Sequence, residues 1–174
     1  QKLYSADLYN QLFTLHGVTM IFLVVIPLGA ASMNYLMPLQ IGARDVAFPR
    51  LNLASYWVFA AGFLVIIGSL VAPMDTGWTF YTPYSAKSAA AVTTLSLGLF
   101  LVGLSSILTG LNFIVTIHKM RAPGMTWHRM PLFLWSMYAT SIIQVIATPV
   151  VGVTFLLLAA ERLLGVGFYD PSKG

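Results

Sequence analysis

Apolar residues run through this chain in four long blocks, at about 12–38, 53–74, 89–117 and 131–160, and polar residues collect between them. A helix that crosses roughly 30 Å of hydrocarbon needs about 20 mostly apolar residues, and each block reaches that length. The pattern predicts an all-α integral membrane protein with four transmembrane helices, forming one membrane domain over residues 1–174 with no linker, repeat or low-complexity segment. Pro27 and Pro149 fall inside the first and fourth blocks. Each is expected to kink its helix and free a carbonyl, which is common in membrane helices and can also open room for water or a cofactor.

Composition closes off the soluble alternatives. With 58% hydrophobic and 8% charged residues, the chain cannot fold as a soluble globule without exposing a large apolar area. A cleaved secretory leader is also excluded as the source of this hydropathy, because apolar blocks recur to the end. The absence of cysteine rules out disulfides, thiolate zinc and iron–sulfur ligation from these residues, leaving His, Met and carboxylate as metal donors. The chain opens on Gln1 and closes on Gly174, and it is read as a segment of a longer protein.

A net charge of +4 invites a nucleic-acid reading, but the cations form no basic stripe, so no nucleic-acid partner is expected. They follow topology instead. Loops 39–52 and 118–130 carry Arg44, Arg50, Lys119, Arg121 and Arg129, whereas the complete loop on the other side carries Lys87. By the positive-inside rule the first pair is cytoplasmic and both chain ends lie outside.

Three groups of polar residues stand out against this background. His16 lies well inside the first block, where an imidazole without a partner would be costly. Axial ligation of a heme and a hydrogen-bonded place in a helix interface both answer that cost. Gly17 beside it would let a flat macrocycle approach the backbone. In the third block Thr94, Ser105, Thr109, Asn112 and Thr116 recur at intervals of 11, 4, 3 and 4, one helical face. Such a stripe either joins helices, with close approach at Gly98, Gly103 and Gly110, or faces ordered water. The third group is the loop after the first block, where Asp45 stands between Arg44 and Arg50. A uniform helix from His16 to Asn34 would make five whole turns and rise about 27 Å, putting both side chains on one face. Ser141, Gln144 and Thr148 form a smaller stripe read as packing, and His118 and His128 are read as solvated loop residues rather than ligands.

Several strings, in order, resemble subunit I of the heme-copper terminal oxidases, the cytochrome c oxidase subunit 1 family of A type. They are YNQLFTLHG, NYLMPLQIGARDVAFPRLNLASYW, GWTFYTPY, SSILTGLN, MRAPGM with MPLFLWS, and ERLLGVGFYDP. The resemblance covers essentially the whole chain and implies helices II to V of a twelve-helix bundle. It implies that His16 is one axial ligand of a low-spin heme, heme a or b, whose second ligand comes from a later helix. It also implies that Asp45 opens a D-type proton uptake channel lined by Asn34, Asn52, Ser55, Ser105, Ser106 and Asn112. Trp78 and Tyr81 correspond to residues near the heme edge, although interfacial anchoring explains them equally.

The implied activity belongs to the full subunit: reduction of dioxygen to water coupled to proton pumping, with a high-spin heme and copper whose ligands are expected outside these residues. The implied partners are the remainder of subunit I, oxidase subunits II and III, the lipid bilayer, and cytochrome c or quinol as electron donor. The location is the bacterial plasma membrane. Arg44 departs from the family pattern where a proline is common, and Leu53 where a second asparagine is common. The competing readings are a quinol oxidase subunit I, and a non-enzymatic four-helix scaffold or small b-type cytochrome.

Overall fold

The computed structural model describes residues 5–72, 74–88 and 91–172, and among these the regular structure is helical, with no strand. Four helices are long and apolar enough to cross a membrane: Ala6–Ile41, Pro49–Leu70, Ala91–Lys119 and Leu132–Leu164. They are called the first to fourth spans. Their bounds differ from the hydropathy blocks because backbone capping, rather than side-chain polarity, decides where a helix stops.

The first span begins at Ala6, in a polar turn that hydropathy skips, because the Ser5 hydroxyl accepts the Leu8 N–H and Asp7 lies in the positive first turn. It ends where Gly42 turns left-handed at φ 73°, with the Gly42 and Ala43 amides closing back on Leu39 and Pro38. Pro49 starts the second span at a position where a missing N–H costs nothing. The fourth span runs on through Glu161 and Arg162 until Gly165, at φ 70°, ends it. The expected start of the third block at residue 89 lies outside the described residues.

The first span is not uniform. Residues Thr19–Val25 form a π-helical stretch, and Pro27 falls at the start of the α-helix that follows. Each wide turn takes in an extra residue, and the Ile26 N–H just before the proline reaches back to the Ile21 carbonyl. The arithmetic that put His16 and Asn34 on one face of a uniform helix therefore does not hold.

The third span is the centre of the bundle: 44% of its most apolar window is buried, against 11% in the first. It meets the second span at a glycine crossing. A Cβ at Gly98 would come within 2.8 Å of Ile66 Cγ1, and one at Gly62 within 2.9 Å of the Gly98 carbonyl oxygen. In a bilayer, where burial of apolar groups drives no association, such close backbone approach is what holds helices together. Two apolar clusters complete the packing. Val18, Ile66, Leu95, Leu99 and Leu158 fill the end nearer the 74–88 loop, and Met33, Met37, Phe113, Ile117 and Leu134 fill the end nearer Asp45. The other faces of the first and fourth spans remain apolar and exposed, including Leu28, Tyr35, Ile146 and Val150.

Candidate functional site

The loop that carries Asp45 is short and contains no helix or strand. The third span fixes it. Asn112, completely buried, accepts the Phe48 N–H at 2.9 Å through Oδ1 and donates to the Phe48 carbonyl at 3.2 Å through Nδ2. Thr116, one turn further, accepts the Ala47 N–H at 2.9 Å and donates to the Asn112 carbonyl. Asp45 itself accepts the Val46 N–H at 2.7 Å through Oδ1. Three consecutive amides are thereby satisfied by side chains, and the Asp45 carboxylate stays exposed at the end of the bundle. Neither Arg44 nor Arg50 pairs with it: the ion pair seen among the described residues joins Lys87 to Asp170.

Replacing Asn112 by leucine takes the acceptor from the partly buried Phe48 N–H, a cost of about 1 kcal/mol at the low end for an unsatisfied donor. We expect faster hydrogen exchange at Ala47 and Phe48 and a modest loss of thermal stability, with the rest of the third span still protected. Unchanged exchange at Phe48 would show that the clamp does not hold the loop.

Above Asp45 lies a cavity of about 560 Å³, roomy enough for on the order of ten waters. Its lining includes Asp45, Asn34, Asn52, Ser55, Ser105 and Ser106, together with Thr109, Gln144 and Tyr56. The sequence-derived residues therefore converge, with the exception of Asn112, whose carboxamide is committed to Phe48 and which is not part of the lining. Their roles differ. Buried Ser55 is a junction: its hydroxyl donates to the Asn52 carbonyl at 2.7 Å and accepts from Thr109 at 3.2 Å, while its carbonyl accepts from Ser105 at 2.7 Å. These bonds tie the second span to the third. Asn34 donates to the Ala30 carbonyl at 2.9 Å, and its Oδ1 is buried with no partner among the described residues. A buried carboxamide oxygen next to such a cavity is a natural acceptor for water.

The polar stripe of the third span divides its contacts. Ser105 and Thr109 join helices, Asn112 and Thr116 hold the loop, and Ser105, Ser106 and Thr109 also border the cavity. Thr94 is exposed and belongs to neither. Gly110 and Gly103 permit close approach of the fourth span: a Cβ there would lie 3.1 Å from the Ser141 carbonyl oxygen and 3.2 Å from Thr148 Cγ2.

At the other end of the bundle His16 is exposed, and its imidazole takes no hydrogen bond among the described residues. Its neighbours one turn away, Leu12, Phe13 and Met20, are also exposed. An imidazole with no competing partner, on an open apolar helix face, suits a ligand to a heme iron. No three His, Asp or Glu side chains gather into a further metal site among the described residues. Gly17 does not open the backbone to such a macrocycle. Its missing side chain admits Trp78, whose Cδ1 would lie 3.0 Å from a Cβ there.

That contact is reinforced by buried Thr14, which accepts the Gly77 N–H at 2.9 Å and so fastens the 74–88 loop to the first span. Trp78 is thereby held one residue from His16. Tyr81, 78% exposed, contributes with Trp78 to the wall of a second cavity of about 400 Å³ that also involves Phe22, Phe155 and Tyr169.

Charged residues missed by the sequence reading close this end. Arg162 donates to Thr93 Oγ1 and to the carbonyls of Ser85 and Ser88. Buried Glu161 accepts the amides of Phe168 and Tyr169 through Oε2. Asp170 is held at about 2, below the usual carboxylate range, first by the Ser172 hydroxyl and amide and then by Lys87. The Tyr84 phenol is pushed up by its hydrogen bond to Asp75. His118, expected to be a solvated loop residue, is exposed but packs its ring edge-on to Trp127 at 5.0 Å and near Tyr138.

Comparison with known proteins gives a consistent match. A family model described as Cytochrome C and Quinol oxidase polypeptide I matches residues 1–174. The chain is 46% identical over 170 residues to a cytochrome c oxidase subunit 1 of Synechocystis sp., an alignment covering 97% of this chain and 31% of that protein. It is 44% identical over 173 residues to the protein of the same name from Bacillus subtilis, covering 98% of this chain and 28% of the relative. The chain therefore spans about a third of the length of these curated relatives.

Proposed function

Because the chain belongs to the Cytochrome C and Quinol oxidase polypeptide I family, we propose that it forms part of the catalytic subunit of a proton-pumping respiratory terminal oxidase in the bacterial plasma membrane. Within that subunit it provides the mouth of a proton uptake path and one ligand of a low-spin heme. The observation that carries the reading is the cavity itself: residues from three sequence regions, Asn34, Asp45 to Ser55, and Ser105 to Thr109, border one space whose single lining carboxylate is Asp45.

Asp45 takes up a proton at the carboxylate oxygen not engaged by the Val46 amide. Water in the cavity passes it inward along Asn34, Asn52 and Ser106, which donate and accept hydrogen bonds without changing charge. Asn112 acts indirectly, by holding the loop in which Asp45 stands. At the opposite end His16 would hold the heme iron through a ring nitrogen, with Trp78 packed beside it. A heme held there would supply electron transfer. The high-spin heme and copper, subunits II and III, and the cytochrome c or quinol donor belong to the remainder of the assembly. Cytochrome c is favoured as donor by the names of the relatives.

The test is a dithionite-reduced minus oxidised visible spectrum of membranes carrying the full-length protein, with and without carbon monoxide. A low-spin heme band beside a carbon monoxide-reactive high-spin heme is expected. Folded protein without heme bands would overturn the oxidase reading and favour a four-helix scaffold.

A further inference from the structure

The stripe Ser141, Gln144 and Thr148 on the fourth span divides in the structure. Ser141 is completely buried and donates to the Met137 carbonyl at 2.7 Å, and Thr148 packs against Gly103. Gln144 does neither. It borders the 560 Å³ cavity together with residues of the first, second and third spans. Its carboxamide takes no hydrogen bond among the described residues, and it is only half-buried. Gly110 explains how it gets there: the fourth span approaches so closely that Gln144 Cβ lies 3.6 Å from where a Gly110 Cβ would be.

A carboxamide left unpaired at the edge of an apolar bundle carries a desolvation cost unless water meets it. The cavity contains a matching need, since Asn34 Oδ1 is buried there without a donor. A carboxamide offers two donors and an acceptor, so cavity water hydrogen-bonded to Gln144 and to Asn34 would satisfy both groups.

We propose that Gln144 is a positioning residue for the proton path, ordering cavity water from the fourth span so that the hydrogen-bonded chain above Asp45 runs continuously past Asn34 to Ser106. This rests on the proton-uptake reading given above. Gln144 holds no proton itself. It fixes the orientation of waters that do, as the one residue of the fourth span in the cavity lining.

The experiment uses the full-length oxidase in vesicles, comparing Gln144→Leu, Gln144→Asn and Gln144→Glu with the parent and with Asp45→Asn. Proton uptake is timed by a pH-sensitive dye after a single turnover, and heme spectra monitor folding. Gln144→Leu is expected to slow uptake about tenfold, the rate equivalent of one lost hydrogen bond, with heme spectra unchanged. Gln144→Asn should recover part of the rate, and Gln144→Glu should give uptake a new pH dependence in the carboxylate range. Normal uptake in Gln144→Leu with slow uptake in Asp45→Asn would overturn the role of Gln144 alone. Normal uptake in both would overturn the proton-path reading as well. If Gln144→Leu lacks heme, the Glu and Asn variants decide: a parental pH profile and rate in both would reduce Gln144 to packing.

Discussion

Replacing Asp45 by asparagine in the full-length protein is expected to slow proton uptake by about 100-fold, the lower range for removing one positioned acid–base group. Turnover should fall with it. The heme spectra should not change, because Asp45 and His16 lie at opposite ends of the bundle. The structure gives reasons for expecting a large effect from a conservative change. Asp45 is the one carboxylate in the cavity lining, and no other lining side chain is a carboxylate that could replace it as a proton acceptor. Asparagine can still accept the Val46 N–H that Asp45 Oδ1 now takes, so the loop should keep its shape. Asn112 and Thr116 hold the next two amides in either case. Loss of rate without loss of structure would separate chemistry from scaffolding. Uptake at the parental rate in Asp45→Asn would sink the assignment of this carboxylate as the entrance.

The second large effect is expected at His16. Changing it to leucine should abolish the low-spin heme band and, with it, electron delivery. His16→Gly offers a sharper comparison, because added imidazole can enter the space left by the side chain and restore the band. His16 makes no hydrogen bond among the described residues, so its loss should cost the protein fold little. A low-spin spectrum that survives in His16→Leu would assign the ligand elsewhere.

Much of this was legible in the sequence because a bilayer imposes strict rules. Four apolar blocks had to become four helices, and their polar exceptions had to be satisfied or used. The four spans and the convergence of Asn34, Asp45, Asn52 and the paired serines follow from those rules and from the family resemblance. What escaped depended on which neighbour a side chain meets. Asn112 lies on the same stripe as Ser105, yet it clamps Phe48, because the 43–48 loop folds back against that level of the third span. Gln144 shares a stripe with two packing residues, and only the depth of the Gly110 contact sends it toward the cavity. Gly17 looked like room for a macrocycle and proves to be room for Trp78, brought there by a loop 60 residues away in sequence, counted from Gly17 to Gly77. Glu161 and Arg162 were passed over as the polar end of a span, although together they bind five groups from the 85–93 and 168–169 segments.

The wide turns at Thr19–Val25 divide the first span into two parts that need not share a phase. Elsewhere in a helix, adding or removing a residue rotates everything beyond it by about 100°. Here such a change can be absorbed by trading a wide turn for an ordinary one, leaving His16 aimed outward and Asn34 aimed into the cavity. The stretch works as a phase adjuster between the end that carries His16 and the end that carries Asn34. It marks the place in this span where length can vary without either end losing its direction.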